Sequence, residues 1–429
     1  MKLFLLVVLL VQRASAFCCW YGSCTGECEA QGDIFCDGSE AQCEGTCGGY
    51  WCDDETGPTL APNSAEPTPV PPPTVPLPSE AGCFVAKDHD ITLLGEKIYL
   101  KGINWFGAET EKFAPHGLWN CKTVDFFLDI LADAGFNALR YPTARDTVLA
   151  NPVVEEQCNG VNTWMDGATA LDAMDYIFQK AADRGILIML DMHRYDYASW
   201  PDDGLYGGFG DAAEGEATMV QAWEILARRF KDQWNVVLAD LANEPHGCTW
   251  AAGAEATDFD AFAARLGDKI HAIAPHWLIV VEGVGSSPGC PFQTSPYNHW
   301  WGGNIECADT HPVELALPNR LVYSPHNYGP GVFEQPYFAG LTTNFSAMAD
   351  VWDSHYGSLP AKDPAFPPIL PGEFGANSDK DPREIAWLAA YSDYLADKVD
   401  EGIPGNFFWC LNPNSGDTGG LLLDDWETI

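Results

Sequence analysis

Between Cys83 and Ile429 short apolar runs alternate with helical stretches, and this rhythm constrains the fold more than any other feature of the chain. The runs read as strands at Ile98–Asn104, Ala138–Tyr141, Leu187–Asp191, Val236–Leu241, Leu278–Glu282, Leu321–Ser324, Ile369–Gly372 and Asn406–Trp409. Helical periodicity fills the spaces between them at Thr123–Ala134, Ala168–Arg184, Glu216–Phe230, Asp258–Ala274, Phe345–His355 and Arg383–Asp400. Repeated βα units of this kind close into a parallel sheet, so an α/β chain folded as a (β/α)8 TIM barrel is predicted. A doubly wound open sheet satisfies the same alternation.

The strand ends favour the barrel, in which working groups gather where strands pass into the following loops. Asn104-Trp105 follow the first run, Arg140 lies on the second, and Asp191 and His193 lie on the third. Asn243-Glu244 end the fourth, His326 and Tyr328 follow the sixth, Glu373 ends the seventh in "ILPGEFG", and Trp409 ends the eighth. Each has a plainer reading: a solvated turn for either glutamate, an internal ion pair for Arg140, and a metal half-site without a third ligand for Asp191-x-His193. Their shared position at strand ends argues for one pocket.

Two carboxylates from opposite sides of a barrel mouth suit glycosidic cleavage, in which one protonates the departing oxygen and the other attacks the sugar. Glu244 is read as the acid/base and Glu373 as the nucleophile. Arg140 supplies a cation to keep Glu373 ionised, and Tyr328 a hydrogen bond to the same carboxylate. Asn243 is placed to bind a sugar 2-hydroxyl, and Trp409 offers a flat face to a pyranose ring. Trp105, Trp119, Trp200, Trp250, Trp300 and Trp301 are further stacking candidates, about half of them expected to be core.

The 61 acidic and 22 basic residues give a formal charge of −39 spread along the chain, which disfavours nucleic acid and anionic membrane surfaces as partners. A neutral ligand remains. Residues 1–16, with Lys2, an apolar run from Leu3 to Leu10 and a small-residue ending, read as a secretory signal, so a secreted chain is expected. Residues 17–52 hold eight of the fifteen cysteines and read as a small disulfide-rich module, zinc being the competing reading. Residues 53–82 carry nine prolines and read as a semi-rigid linker to the catalytic domain, 83–429. Seven cysteines remain, so one thiol, with Cys410 the first candidate, is expected to stay free.

The segments "GINWFG" (102–107), "HGLW" (116–119), "LRYP" (139–142), "LDMHR" (190–194), "NEPH" (243–246), "VEGV" (281–284), "NRLVYSPHNYGP" (319–330), "GEFG" (372–375) and "NPNSGDTGGLLLDDW" (412–426) together resemble glycoside hydrolase family 5. The resemblance implies the same roles for Glu244 and Glu373, and active-site positions for Arg140, His193, Asn243, His326, Tyr328 and Trp409. "WWGGN" (300–304) and "SGDTGG" (415–420) are similar to the bacterial endocellulase branch, implying a retaining endo-β-1,4-glucanase acting on β-glucan, cellulose first, with no cofactor or metal. A monomer is expected. "LRYP" departs from the Arg-Leu-Pro of many members. Mannanase, xyloglucan hydrolase or other β-glucanase, transglycosylase and a lectin-like binder are the rival readings. Loosely, the cysteine-rich module resembles carbohydrate-binding modules, with Trp20-Tyr21 and Tyr50-Trp51 as a stacking face; an inert disulfide knot is the alternative.

Overall fold

Parallel strands covered on both faces should be buried along their length, and those of this chain are, apart from the half-buried Lys101, Arg194 and Asn406. The computed structural model describes residues 84–155, 160–200, 204–206, 212–254, 256–285 and 289–429; the expected signal, cysteine-rich module and linker lie outside these. A three-stranded antiparallel sheet comes first: β1 (Phe84–Lys87), β2 (Asp90–Leu93) and β3 (Glu96–Lys97). Then follow β4 (Leu100–Asn104), β5 (Ala138–Ala144), β6 (Leu187–Arg194), β7 (Val236–Asp240), β8 (Leu278–Val281), β9 (Leu321–Tyr323) and β10 (Gly405–Phe408). These seven are parallel, in the order β10-β4-β5-β6-β7-β8-β9.

The predicted run Ile369–Gly372 is not a continuous strand. Pro368 and Pro371 have no N–H to give a ladder, so only isolated bridges, Tyr323 to Ile369 and His326 to Glu373, form there. The segment nevertheless closes the circle. Leu370 N–H donates to the Tyr323 carbonyl on one side, while Phe407 N–H donates to the Pro371 carbonyl and Trp409 N–H to the Phe374 carbonyl on the other.

Helices α1 (Val124–Asp133), α2 (Arg145–Ala150), α3 (Ala170–Ala182), α4 (Ala212–Phe230), α5 (Phe259–His271), α6 (Met348–Trp352), α7 (Leu359–Lys362) and α8 (Glu384–Lys398) connect the strands. Their starts follow local chemistry: the Thr123 side chain accepts from Phe126 N–H, and Thr169 with Asp172 forms a reciprocal capping box. The predicted helix Phe345–His355 is realised as α6 followed by a π turn, Asp353–Gly357.

Strand side chains alternate between two cores. Ile103, Leu139, Ile188, Ile279 and Val281 pack outward among the helices. Leu100, Ala138, Met189, Leu238, Val280, Val322, Leu370 and Phe407 form a separate inner cluster, joined by Phe84, Ala86 and Ile91 from β1 and β2. The small sheet therefore plugs the amino end of the barrel, where Ala86 N–H donates to the Asn319 carbonyl and the Arg320 guanidinium to the Phe84 carbonyl. The mouth at the carboxyl end is left open to function.

Among the described cysteines, Cys290 and Cys307 form a disulfide, and Cys121 is also bonded. Cys410 is free and buried as expected, but Cys248 is free too, so two thiols are spared where one was predicted. Cys248 packs in the outer apolar core, whereas the Cys410 thiol donates to the Asn412 carbonyl at 3.4 Å.

Candidate active site

The two-residue step of a strand carries the inner apolar layer upward into a charged one. Ala138 is followed by Arg140 on β5, Met189 by Asp191 on β6, Leu238 by Asp240 on β7, and Val280 by Glu282 just past β8. Arg140 is fully buried, and its five N–H groups are all engaged. Nε donates to Asp240 (2.9 Å), Nη1 to Asn104 (3.0 Å) and Glu373 (2.6 Å), and Nη2 to Asn243 (2.8 Å) and Glu282 (3.1 Å). Asp191 stands 3.1 Å from the same guanidinium.

One cation cannot neutralise so many carboxylates in a dry interior, and the proton affinities divide accordingly. Burial pushes Asp240 and Glu282 up to about 7 and Asp191 well above its usual range. Glu373 goes the other way. Burial alone would raise it, but His326, Arg140 and His193 together with the Tyr328 hydroxyl, 2.5 Å from Oε2, bring it below the usual carboxylate range. For Glu244 burial dominates and raises the carboxyl, the His326 contact opposing it without cancelling it.

Glu244 lies just beyond β7 and Glu373 in the closing segment, and the barrel brings them face to face. Oxygens of the two carboxylates and a ring nitrogen of His326 all lie within 4.8 Å of one another. His326 Nδ1 is 3.0 Å from Glu244 Oε1 and 3.6 Å from Glu373 Oε2. Only 4% of the Glu373 side chain is accessible, whereas Glu244 keeps 15%, beside a depression lined by His193, Trp200, Asn243, Pro245 and His246. Asn243 Nδ2 has no partner among the described residues, although its Oδ1 is held by Arg140.

The rings around the mouth are ordered. Phe106, Trp409, His193 and Trp200 form a series of near-parallel neighbours with centroid steps of 5.5, 5.3 and 5.5 Å. His193 is turned by Asp191, whose Oδ2 is 2.7 Å from Nδ1. Across the depression Trp301 stacks on His246 at 3.8 Å. Trp119, Trp200 and Trp301 are 37, 42 and 41% exposed.

Trp105 is a correction to the stacking candidates: it is fully buried against Phe127, with Nε1 donating to the His116 carbonyl. Trp250 is equally buried and bonded to the His311 carbonyl, and Trp300 is nearly so, set edge-on to Tyr328. All three are core.

Asp240 and Glu282 were not singled out from sequence, although both touch Arg140. The available signal was period two: each lies two residues beyond an inner apolar position of its own strand.

The sequence model of the family described as Cellulase (glycosyl hydrolase family 5) matches residues 96–415. A Paenibacillus polymyxa protein named Endoglucanase is 38% identical over 341 residues, covering 78% of this chain and 80% of its own length. The Major extracellular endoglucanase of Xanthomonas campestris pv. campestris is 35% identical over 338 residues, covering 78% of this chain and 66% of its own length. Among solved structures, an endocellulase from Pyrococcus horikoshii complexed with cellotetraose superposes with a TM-score of 0.72 at 34% identity, over 82% of this chain and 96% of that one.

Proposed function

The chain belongs to the cellulase family, glycosyl hydrolase family 5, and from that membership we propose that it is a secreted endo-β-1,4-glucanase that retains anomeric configuration. The observation that carries the reading is the pair Glu244 and Glu373, whose oxygens approach within 4.8 Å while their proton affinities are pushed apart. Such closeness fits the retaining class, with carboxyl groups about 5–5.5 Å apart, better than the inverting class, with carboxyl groups about 6.5–9.5 Å apart.

In the first step the ionised Glu373 attacks the anomeric carbon while the protonated Glu244 gives its proton to the leaving oxygen, so that one glycosidic bond breaks and one glycosyl ester forms. In the second, Glu244 takes a proton from water, whose oxygen displaces Glu373 and restores both carboxyls. Arg140 and Tyr328 keep Glu373 charged between turnovers. The unpartnered Asn243 Nδ2 is a donor for the sugar 2-hydroxyl, and Trp409 and the exposed Trp119, Trp200 and Trp301 offer faces for further rings. The Pyrococcus horikoshii complex with cellotetraose supports a β-1,4-glucan as the substrate.

Secretion is supported by the leader-like residues 1–16 and by the name of the Xanthomonas relative. A cysteine-rich module at 17–52 that binds carbohydrate through a 53–82 tether would raise the enzyme's local concentration on an insoluble polymer. A screen on carboxymethylcellulose, glucomannan, mannan and lichenan tests the substrate: cleavage of carboxymethylcellulose is expected. Strong mannan hydrolysis with none on cellulose would reject it.

A further inference from the structure

We infer that Glu282 is the positioning residue that sets the proton-donating geometry of Glu244, holding its main chain directly and its carboxyl through His326. The inference rests on the reading of Glu244 as acid/base given above.

Glu244 has φ = +48°, in the left-handed region. For a residue with a Cβ that conformation is strained and persists only when the surroundings impose it. Two side chains hold the main chain there: Glu244 N–H donates to Glu282 Oε2 at 2.7 Å, and on the carbonyl side His246 Nδ1 lies 2.7 Å from the Glu244 oxygen, so that Glu282 is the partner of the N–H. A turn fixed in this way directs the Glu244 side chain back over the barrel mouth instead of outward with the loop.

The second oxygen of Glu282 reaches the other end of the same residue. Oε1 lies 3.2 Å from His326 Nε2, and His326 Nδ1 lies 3.0 Å from Glu244 Oε1. Glu282 is itself anchored by the Arg140 Nη2 donor at 3.1 Å, and it is fully buried. It therefore touches Glu244 and His326 but cannot touch substrate. The surrounding loop is shaped to admit it. Gly302, in "WWGGN", has φ = +70°, and a Cβ there would fall 2.4 Å from Glu282 Oε2. Glycine at this position thus answers to the Glu282 carboxylate and to the backbone at once.

A group that only positions a proton donor has a kinetic signature that a general packing role lacks. The ratio kcat/KM reports the glycosylation step, in which a sugar alcohol leaves only with a proton while 2,4-dinitrophenolate leaves without one. For Glu282→Gln, kcat/KM on a cello-oligosaccharide is expected to fall about 10- to 100-fold, a part of the roughly 100- to 10,000-fold that general acid catalysis contributes, while that on 2,4-dinitrophenyl β-cellobioside changes less than about threefold. Equal losses on both substrates, or no loss on either, would overturn the inference. If the Gln variant does not fold, Glu282→Asp withdraws the carboxylate by one methylene and is expected to give the same selective loss. Glu244→Gln, assayed in parallel, separates the two claims: if it lacks the leaving-group pattern, the assignment of Glu244 fails, and with the pattern present there a flat result for Glu282 rejects only the positioning role.

Discussion

Arg140 joins carboxylates from four parts of the barrel, and together with His326 it lowers the proton affinity of Glu373 in a nearly dry site. Its partners cannot all be ionised. Asp240, raised to about 7 mainly by burial, holds a proton in the folded state at acidities where the unfolded chain, near 4, has released it. The stability this proton contributes is fully present below about pH 4 and is lost as pH rises through about 7. Asp240→Asn keeps a carbonyl oxygen for the Arg140 Nε donor and removes the titration. The variant's Tm relative to wild type is therefore expected to rise from about pH 4 to about pH 7 and then level off. Parallel Tm curves across that range would show that Asp240 does not titrate in this way. At this scale the sequence disclosed the residues at strand ends, because loops that follow barrel strands are where polar groups are expected. It did not disclose Asp240, which ends β7 in the structure but falls inside the predicted run Val236–Leu241 and reads there as an ordinary interruption of apolar residues.

Strands and helices were largely legible, since caps such as Thr169 and long apolar periodicities determine them locally. The exceptions have local causes. Prolines 368 and 371 break the ladder of the closing segment while leaving its carbonyls to pair, so a run with a strand's composition forms only bridges. The plug formed by β1–β3 escaped notice because its strands are four residues long or shorter, and the run beginning at Ile98 was read as one strand where the structure turns from β3 into β4. The loop between Cys290 and Cys307 carries Trp301 and Gly302, which meet His246 and Glu282. A cross-link spanning 17 residues stabilises by about 3 kcal/mol. Replacing both cysteines by serine is expected to lower Tm by roughly 4 °C and to raise KM more than it lowers kcat. An unchanged Tm would mean that the loop is held by its packing alone.

For the whole molecule, the (β/α)8 architecture puts two glutamates 129 positions apart in the chain into one mouth, and gives each a different environment. One keeps 15% of its side chain accessible and has its proton affinity raised by burial; the other is walled in by His326, Arg140 and Tyr328 and has its proton affinity lowered. The acidic exterior, with a formal charge of −39, leaves an uncharged polymer as the ligand that such a mouth admits without electrostatic penalty. None of this division of labour is visible in either glutamate's own sequence neighbourhood, because it is created by residues that only the closed barrel assembles. Its most direct test is to trap the glycosyl-enzyme ester with 2,4-dinitrophenyl 2-deoxy-2-fluoro-β-cellobioside and to locate the label by peptide mass spectrometry. One fluorocellobiosyl group on the peptide containing Glu373, and on that residue, is predicted. A label on any other side chain, or no label together with an inverted product, would contradict the account.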